Sequence, residues 1–113
     1  MQKDPHTHTS LLLDFYGPFL TDRQREYMDL YLNSDYSLGE IAEHYGVSRQ
    51  AVRDSLVRAQ AQLADVDAKL GLMKRFYVQK ALLNEILNSA DDPVKVRNYV
   101  EQINALWEDD HGF

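Results

Sequence analysis

Residues 37–56, SLGEIAEHYGVSRQAVRDSL, decide the fold. Ser37, with Glu40 three residues on, forms a capping box that opens a short helix. Ile41 and Ala42 face inward, and Ala42 is small because a second helix crosses close by. Gly46 stands where the chain turns sharply, a position that calls for φ > 0. Val47 packs under the turn. Ser48 caps the second helix, whose buried stripe continues through Ala51, Val52 and Leu56. A small residue, a turn glycine and a β-branched anchor, in that order and at that spacing, predict a helix-turn-helix.

The second helix outlasts the motif. Val52, Leu56, Ala59, Leu63, Val66, Leu70 and Met73 follow one another at intervals of 4, 3, 4, 3, 4 and 3 residues. That is a heptad seam. A continuous helix from Arg49 to Leu70 spans roughly 33 Å, which is longer than a small N-terminal core covers. A homodimer through the seam and the helices after it is therefore expected, with a monomeric bundle as the alternative. Gly71 bends or ends the long helix.

Upstream, Leu11–Phe19 (LLLDFYGPF) reads as a short apolar helix closed by Gly17-Pro18. Thr21 and Gln24 form a second capping box, opening a helix through about Leu32. Downstream, a helix covers Leu72–Asn88. Asp92 as N-cap and Pro93 at the first helical position start the last one. The expected architecture is all-α. It divides into a disordered tail (1–10), a helix-turn-helix domain (11–63), a C-terminal helical dimerisation region (64–108) and a tail (109–113).

Composition removes several function classes. The chain has 113 residues, 44% of them apolar, and no cysteine. Disulfides, thiolate zinc sites and cysteine nucleophiles are excluded. No stretch approaches the ~18 apolar residues of a membrane span, and MQKDPHTHTS reads as a frayed tail rather than a secretory signal. A cytoplasmic protein is expected. No phosphate-binding glycine loop, GxSxG or HExxH motif occurs. The pair Asp65 and Asp67 points to different sides of a helix. Neither an enzyme nor a cofactor is expected. His6 and His8, on a tail with only Asp4 nearby, make a poor metal site.

Subtracting the buried stripe leaves Arg49, Gln50, Arg53, Asp54, Val57 and Arg58 on the outside of the second helix. Arg49, Gln50 and Arg53 occupy its first turns, the end that enters the major groove in this motif. Gln pairs with adenine and Arg with guanine through two hydrogen bonds each. Ser48 and the adjacent N–H groups can hold a phosphate. Arg58 either touches phosphate or pairs with Asp54 four residues earlier. The expected DNA-binding set is Ser48, Arg49, Gln50, Arg53 and Arg58.

Charge works against loose binding. The net charge is −6, and affinity for phosphate comes mainly from Lys and Arg. Even residues 21–63 carry five arginines (Arg23, Arg25, Arg49, Arg53, Arg58) against seven acids (Asp22, Glu26, Asp29, Asp35, Glu40, Glu43, Asp54). The aromatics Phe15, Tyr16, Phe19, Tyr27, Tyr31, Tyr36 and Tyr45 read as a hydrophobic core with hydroxyls at its rim.

The segments DFY, LTDRQREYM, DYSLGEIAE and VSRQAVRD, within Leu11 to Phe76, resemble the YlxM-like family of small bacterial proteins. More remotely, the same stretch is similar to the fourth region of bacterial sigma factors. The resemblance implies an all-helical, DNA-binding regulator whose recognition residues fall on Ser48, Arg49, Gln50 and Arg53. It also implies a part in the signal recognition particle pathway, with that particle's protein or RNA as a partner. Arg53 departs from the family, which has an aromatic residue after Ala-Val.

Overall fold

In the computed structural model the described residues are 5–108, with side chains from residue 8 onward. Six helices follow one another: α1 (Pro5–Tyr16), α2 (Asp22–Asn33), α3 (Leu38–Tyr45), α4 (Arg49–Leu70), α5 (Leu72–Asn88) and α6 (Pro93–Trp107). A short 3-10 turn, Gly17–Phe19, joins α1 to α2. Among the described residues there is no strand. The all-α expectation holds.

The caps explain where the helices start. The Thr21 hydroxyl accepts from the Gln24 N–H, and the Gln24 side chain accepts from the Thr21 N–H. Ser37 and Glu40 repeat that reciprocal pair at α3. Asp92 accepts from the Lys95 N–H with Pro93 at the first position of α6. In the α2–α3 loop Asp35 adopts φ 55°, which aspartate tolerates better than most side chains.

The chain forms two compact units, residues 1–70 and 71–113. The break falls at Gly71, φ 68°, seven residues beyond the expected boundary at 63/64. The reason is that the far end of α4 still serves the first unit. The Tyr16 hydroxyl, on a side chain only 1% exposed, donates to Asp67 Oδ1 at 2.7 Å. Gln62 Nε2 donates to the Phe19 carbonyl at 2.8 Å.

In the first unit α1, α2 and α3 all pack on α4. Leu12, Leu13 and Tyr16 of α1 meet Met28 of α2, Ile41 of α3, and Val52, Ala59 and Leu63 of α4 in one buried core. Two expectations are corrected here. The segment 5–10, expected to be disordered, is helical, and residues 8–10 are half-buried. Pro5 suits a first helical position, and the helix it opens carries the buried leucines. The predicted tails at 1–4 and 109–113, with His111, lie outside the described residues, as does the His6 side chain.

The second correction concerns the seam. Val52, Leu56, Ala59 and Leu63 are buried within a single chain, Leu70 is 46% exposed, and Met73 belongs to α5. The first half of the seam is the core stripe of the first unit, covered by α1 as well as by α2 and α3. It is not a free dimer surface.

In the second unit α5 and α6 form an antiparallel hairpin. Trp107 Nε1 donates to Gln79 Oε1 at 2.6 Å, and the Arg75 guanidinium lies 5.7 Å from the Trp107 ring centroid. Met73 is the only residue of this unit buried to below a tenth of its surface among the described residues.

Candidate nucleic-acid interface

The turn between α3 and α4 positions the candidate interface. Gly46 sits at φ 67°, ψ 36°. Its N–H donates to the Glu43 carbonyl at 3.4 Å, and the Val47 N–H donates to the Ala42 carbonyl at 3.0 Å. These paired bonds close α3 in a Schellman motif. Val47, expected under the turn, is 38% exposed. It contributes its backbone N–H to the motif, while Ile41 of α3 is fully buried.

α4 then begins on Ser48, whose Oγ accepts from the Ala51 N–H at 3.0 Å. The hydroxyl keeps its own hydrogen as a donor toward solvent. Ala51, expected in the buried stripe, is exposed. The 4-3-4 spacing of Val52, Leu56, Ala59 and Leu63 defines that stripe, and a turn of about 100° per residue carries Ala51 out of it.

Arg49, Gln50 and Arg53 are all exposed and fall within about a 100° arc of the first α4 turns. Each has a distinct setting. Arg49 reaches back across α3: a Cβ placed on Gly39 would stand 3.0 Å from Arg49 Nε and 3.2 Å from its Nη2. Gln50 Nε2 donates to Asp54 Oδ1 at 2.9 Å. Arg53 lies at the lip of a shallow groove of about 190 Å³ with Tyr31, Leu38 and Val57.

Arg58 does not join them. It lies roughly 8 Å beyond Arg53 along the axis and on the opposite flank of α4. Its expected pairing with Asp54 is absent among the described residues, and Asp54 Oδ1 accepts from Gln50 instead. Neither Arg49, Arg53 nor Arg58 forms an ion pair among the described residues; the surface pairs there are Arg23–Glu26, Lys69–Asp65 and Arg97–Glu101.

The other helix-turn-helix arginines serve structure. The Arg23 guanidinium lies 4.5 Å from the Tyr45 ring centroid and 5.9 Å from that of Tyr27. A hydrogen bond with Tyr27 holds it further toward its charged form. The Tyr45 hydroxyl donates to Glu26 at 2.8 Å, which raises its pKa above the ordinary tyrosine value. Arg25 lies over Gly17, in a groove whose lining includes Asp14, Asp22, Glu26 and Asp29 beside Leu13 and Asn33. The aromatic core is borne out for Tyr16 and Tyr27, which are 1% and 5% exposed, whereas Phe19 is 56% exposed.

Sequence reasoning missed two contacts at this surface. The Gln50–Asp54 bond was available as a four-residue spacing on an exposed face, but the charge of Arg58 drew the pairing instead. The Arg49–Gly39 approach had one faint signal, a glycine inside a helix that gains nothing from it locally.

No described helix is long and apolar enough to cross a membrane. Among the described residues no group of three or more His, Cys, Asp or Glu could hold a metal ion.

Residues 3–103 match the family described as "Putative helix-turn-helix protein, YlxM / p13 like". The chain is 58% identical to a UPF0122 protein of Acetivibrio thermocellus, over 69% of this chain and 67% of that protein. It is 48% identical to a UPF0122 protein of Desulforamulus reducens, over 73% and 70%. With the UPF0122 protein YlxM of Bacillus subtilis the identity is 41%, over 94% of this chain and 96% of the other. With its Schellman turn, capped second helix and the all-helical fold of its described residues, the chain belongs to the YlxM / p13-like family of bacterial helix-turn-helix proteins.

Proposed function

We propose that this chain is a DNA-binding regulator that reads the major groove with the first turns of α4. One observation carries the reading. Arg49 and Arg53 stand exposed and without ion pairs beside Gln50, on the turns that follow the Gly46 corner. In a protein of net charge −6, cations left unpaired at that end are suited to phosphate and base edges. The free hydrogen of Ser48 suits a phosphate. Arg58, on the other flank, suits a backbone contact rather than a base.

The active form in this reading is a homodimer joined through the α5–α6 hairpin; dimers of this motif read two half-sites about one DNA turn apart. Leu83 and Leu87 of α5 are 46% and 76% exposed, and Val100 and Trp107 of α6 are 42% and 47% exposed. At about 100° per residue, each pair flanks the stripe that meets the other helix. Because the helices are antiparallel and of one hand, both pairs fall on the same side of the hairpin. Two helices cannot enclose a core by themselves, and a second copy covers that side.

The test is selection from random duplex DNA across a salt titration. Salt-sensitive retention of particular sequences is the expected result, with Arg53→Ala weakening binding to them by about 1–3 kcal/mol. An unchanged isotherm would remove Arg53 from the role.

A second reading, docking of the helix-turn-helix on the signal recognition particle, draws on the net charge of −6. Protein that ignores duplex DNA at low salt, yet retains that particle or its RNA, would select it.

A further inference from the structure

We propose that Asp54 is a positioning residue for base reading, setting the sense in which the Gln50 amide faces the groove. This rests on the DNA-reading function proposed above and adds a residue to it.

The observation is the choice of partner that Asp54 makes. Arg58 stands four residues ahead of it on the same helix, at the spacing of an ordinary ion pair. Asp54 instead accepts from Gln50 Nε2 at 2.9 Å, and Arg58 forms no ion pair among the described residues. The bond is made on an exposed face, one turn into α4.

The chemistry of the pair gives it direction. An ionised carboxylate only accepts, whereas an amide has a donating and an accepting end. Gln50 can therefore turn only its NH2 toward Asp54, because Oε1 there would face two oxygens with no hydrogen between them. One Nε2 hydrogen is used. The second hydrogen and Oε1 remain, and these are the donor and acceptor that adenine N7 and N6 require. The last torsion of a free glutamine is broad and nearly two-fold, so without Asp54 both senses of the amide are populated.

The arrangement also accounts for an acid among the reading residues. A carboxylate near phosphates weakens binding to every sequence alike, and holding a base-reading amide in one sense offsets that loss at one base pair.

The test begins with duplexes randomised over about two helical turns, selected by the wild-type chain. Gln50→Ala identifies the base pair that Gln50 reads. At that pair Asp54→Ala is expected to lower the preference about five-fold, leave other positions unchanged, and raise affinity for random duplex. Asp54→Glu, which keeps an acceptor-only group of the same charge, restores the preference. In a Gln50→Ala background Asp54→Ala has no further effect at that pair. Circular dichroism of each variant confirms that the helices are kept.

The inference is overturned if Asp54→Ala shifts all positions alike, or leaves the Gln50 preference intact while only raising affinity. It is also overturned if Asp54→Ala acts equally with Gln50 absent. A wild-type chain that selects no duplex at any salt would instead remove the DNA-reading function itself, and this inference with it.

Discussion

The Arg49 guanidinium lies across the first turn of α3, so close to Gly39 that a Cβ there would stand 3.0 Å from Nε. The two residues sit on different helices of the motif, and the missing side chain of one is the floor for the other. Gly39→Ala tests the relationship through a split outcome. The obstacle is part of a flexible side chain, so Arg49 swings aside, and alanine gains helix propensity of up to about 1 kcal/mol. Stability in urea should be unchanged or slightly raised. Retention of selected duplexes should fall, because Arg49 loses its setting at the groove. Equal losses in folding and binding would show that Gly39 is needed for packing instead.

Gly46 gives the opposite pattern. Its φ of 67° is left-handed, and nothing lies within 4 Å of a Cβ built there. Gly46→Ala therefore meets backbone strain alone, about 1–2 kcal/mol. Gly46→Asn should cost less, since asparagine enters this region more readily. Urea denaturation of both variants measures the order, and an alanine variant as stable as the wild type would contradict it.

These positions show what was legible in the sequence and what was not. Gly46, Ser37 with Glu40, Thr21 with Gln24 and Asp92-Pro93 act within a few residues of themselves. Their structural consequences could be read locally, and the helix starts fall where they place them. The heptad spacing of Val52, Leu56, Ala59 and Leu63 was equally visible, but its partner was not. A stripe that meets a second copy and a stripe that meets the chain's own α1 have the same period. The start of α1 at Pro5 was hidden because HTHTS carries no apolar period, but the residues that cover the stripe, Leu12, Leu13 and Tyr16, lie in the apolar helix that the sequence does show. At the site, the exposed positions of Arg49, Gln50 and Arg53 follow from subtraction of the buried stripe. The partners Gly39 and Asp54 depend on side-chain directions that periodicity does not fix.

The α3 capping box predicts an acid response. The Glu40 carboxyl lies below the usual glutamate range because the Ser37 backbone N–H, and then its side chain, bond the charged form. A carboxyl depressed on folding contributes stability above its unfolded pKa, about 4.3, and loses it as pH falls through the lower, folded value. Stability against thermal unfolding should fall more steeply below about pH 4.3 in the wild type than in Glu40→Gln. At neutral pH the two should be close, because glutamine completes the same box. Parallel acid profiles would detach Glu40 from the effect.

The hairpin makes the proposed dimer testable apart from DNA. Leu83 and Leu87 are exposed beside the α6 contact, on the side shared with Val100 and Trp107. In a two-fold assembly every interface residue appears twice. Covering one leucine in both copies contributes roughly 3–6 kcal/mol at full burial, and a glutamate there adds an uncompensated charge. The wild-type chain should sediment at twice its 13.1 kDa, and Leu87→Glu at its monomer mass with the same helical content. Because Leu87 is distant in sequence from α4 and already 76% exposed, the variant should fold. It should still contact single half-sites, but lose the cooperative binding that two tethered α4 helices give. A monomeric wild type at tens of micromolar would return the apolar side of α5–α6 to some other partner, and leave α4 to act singly.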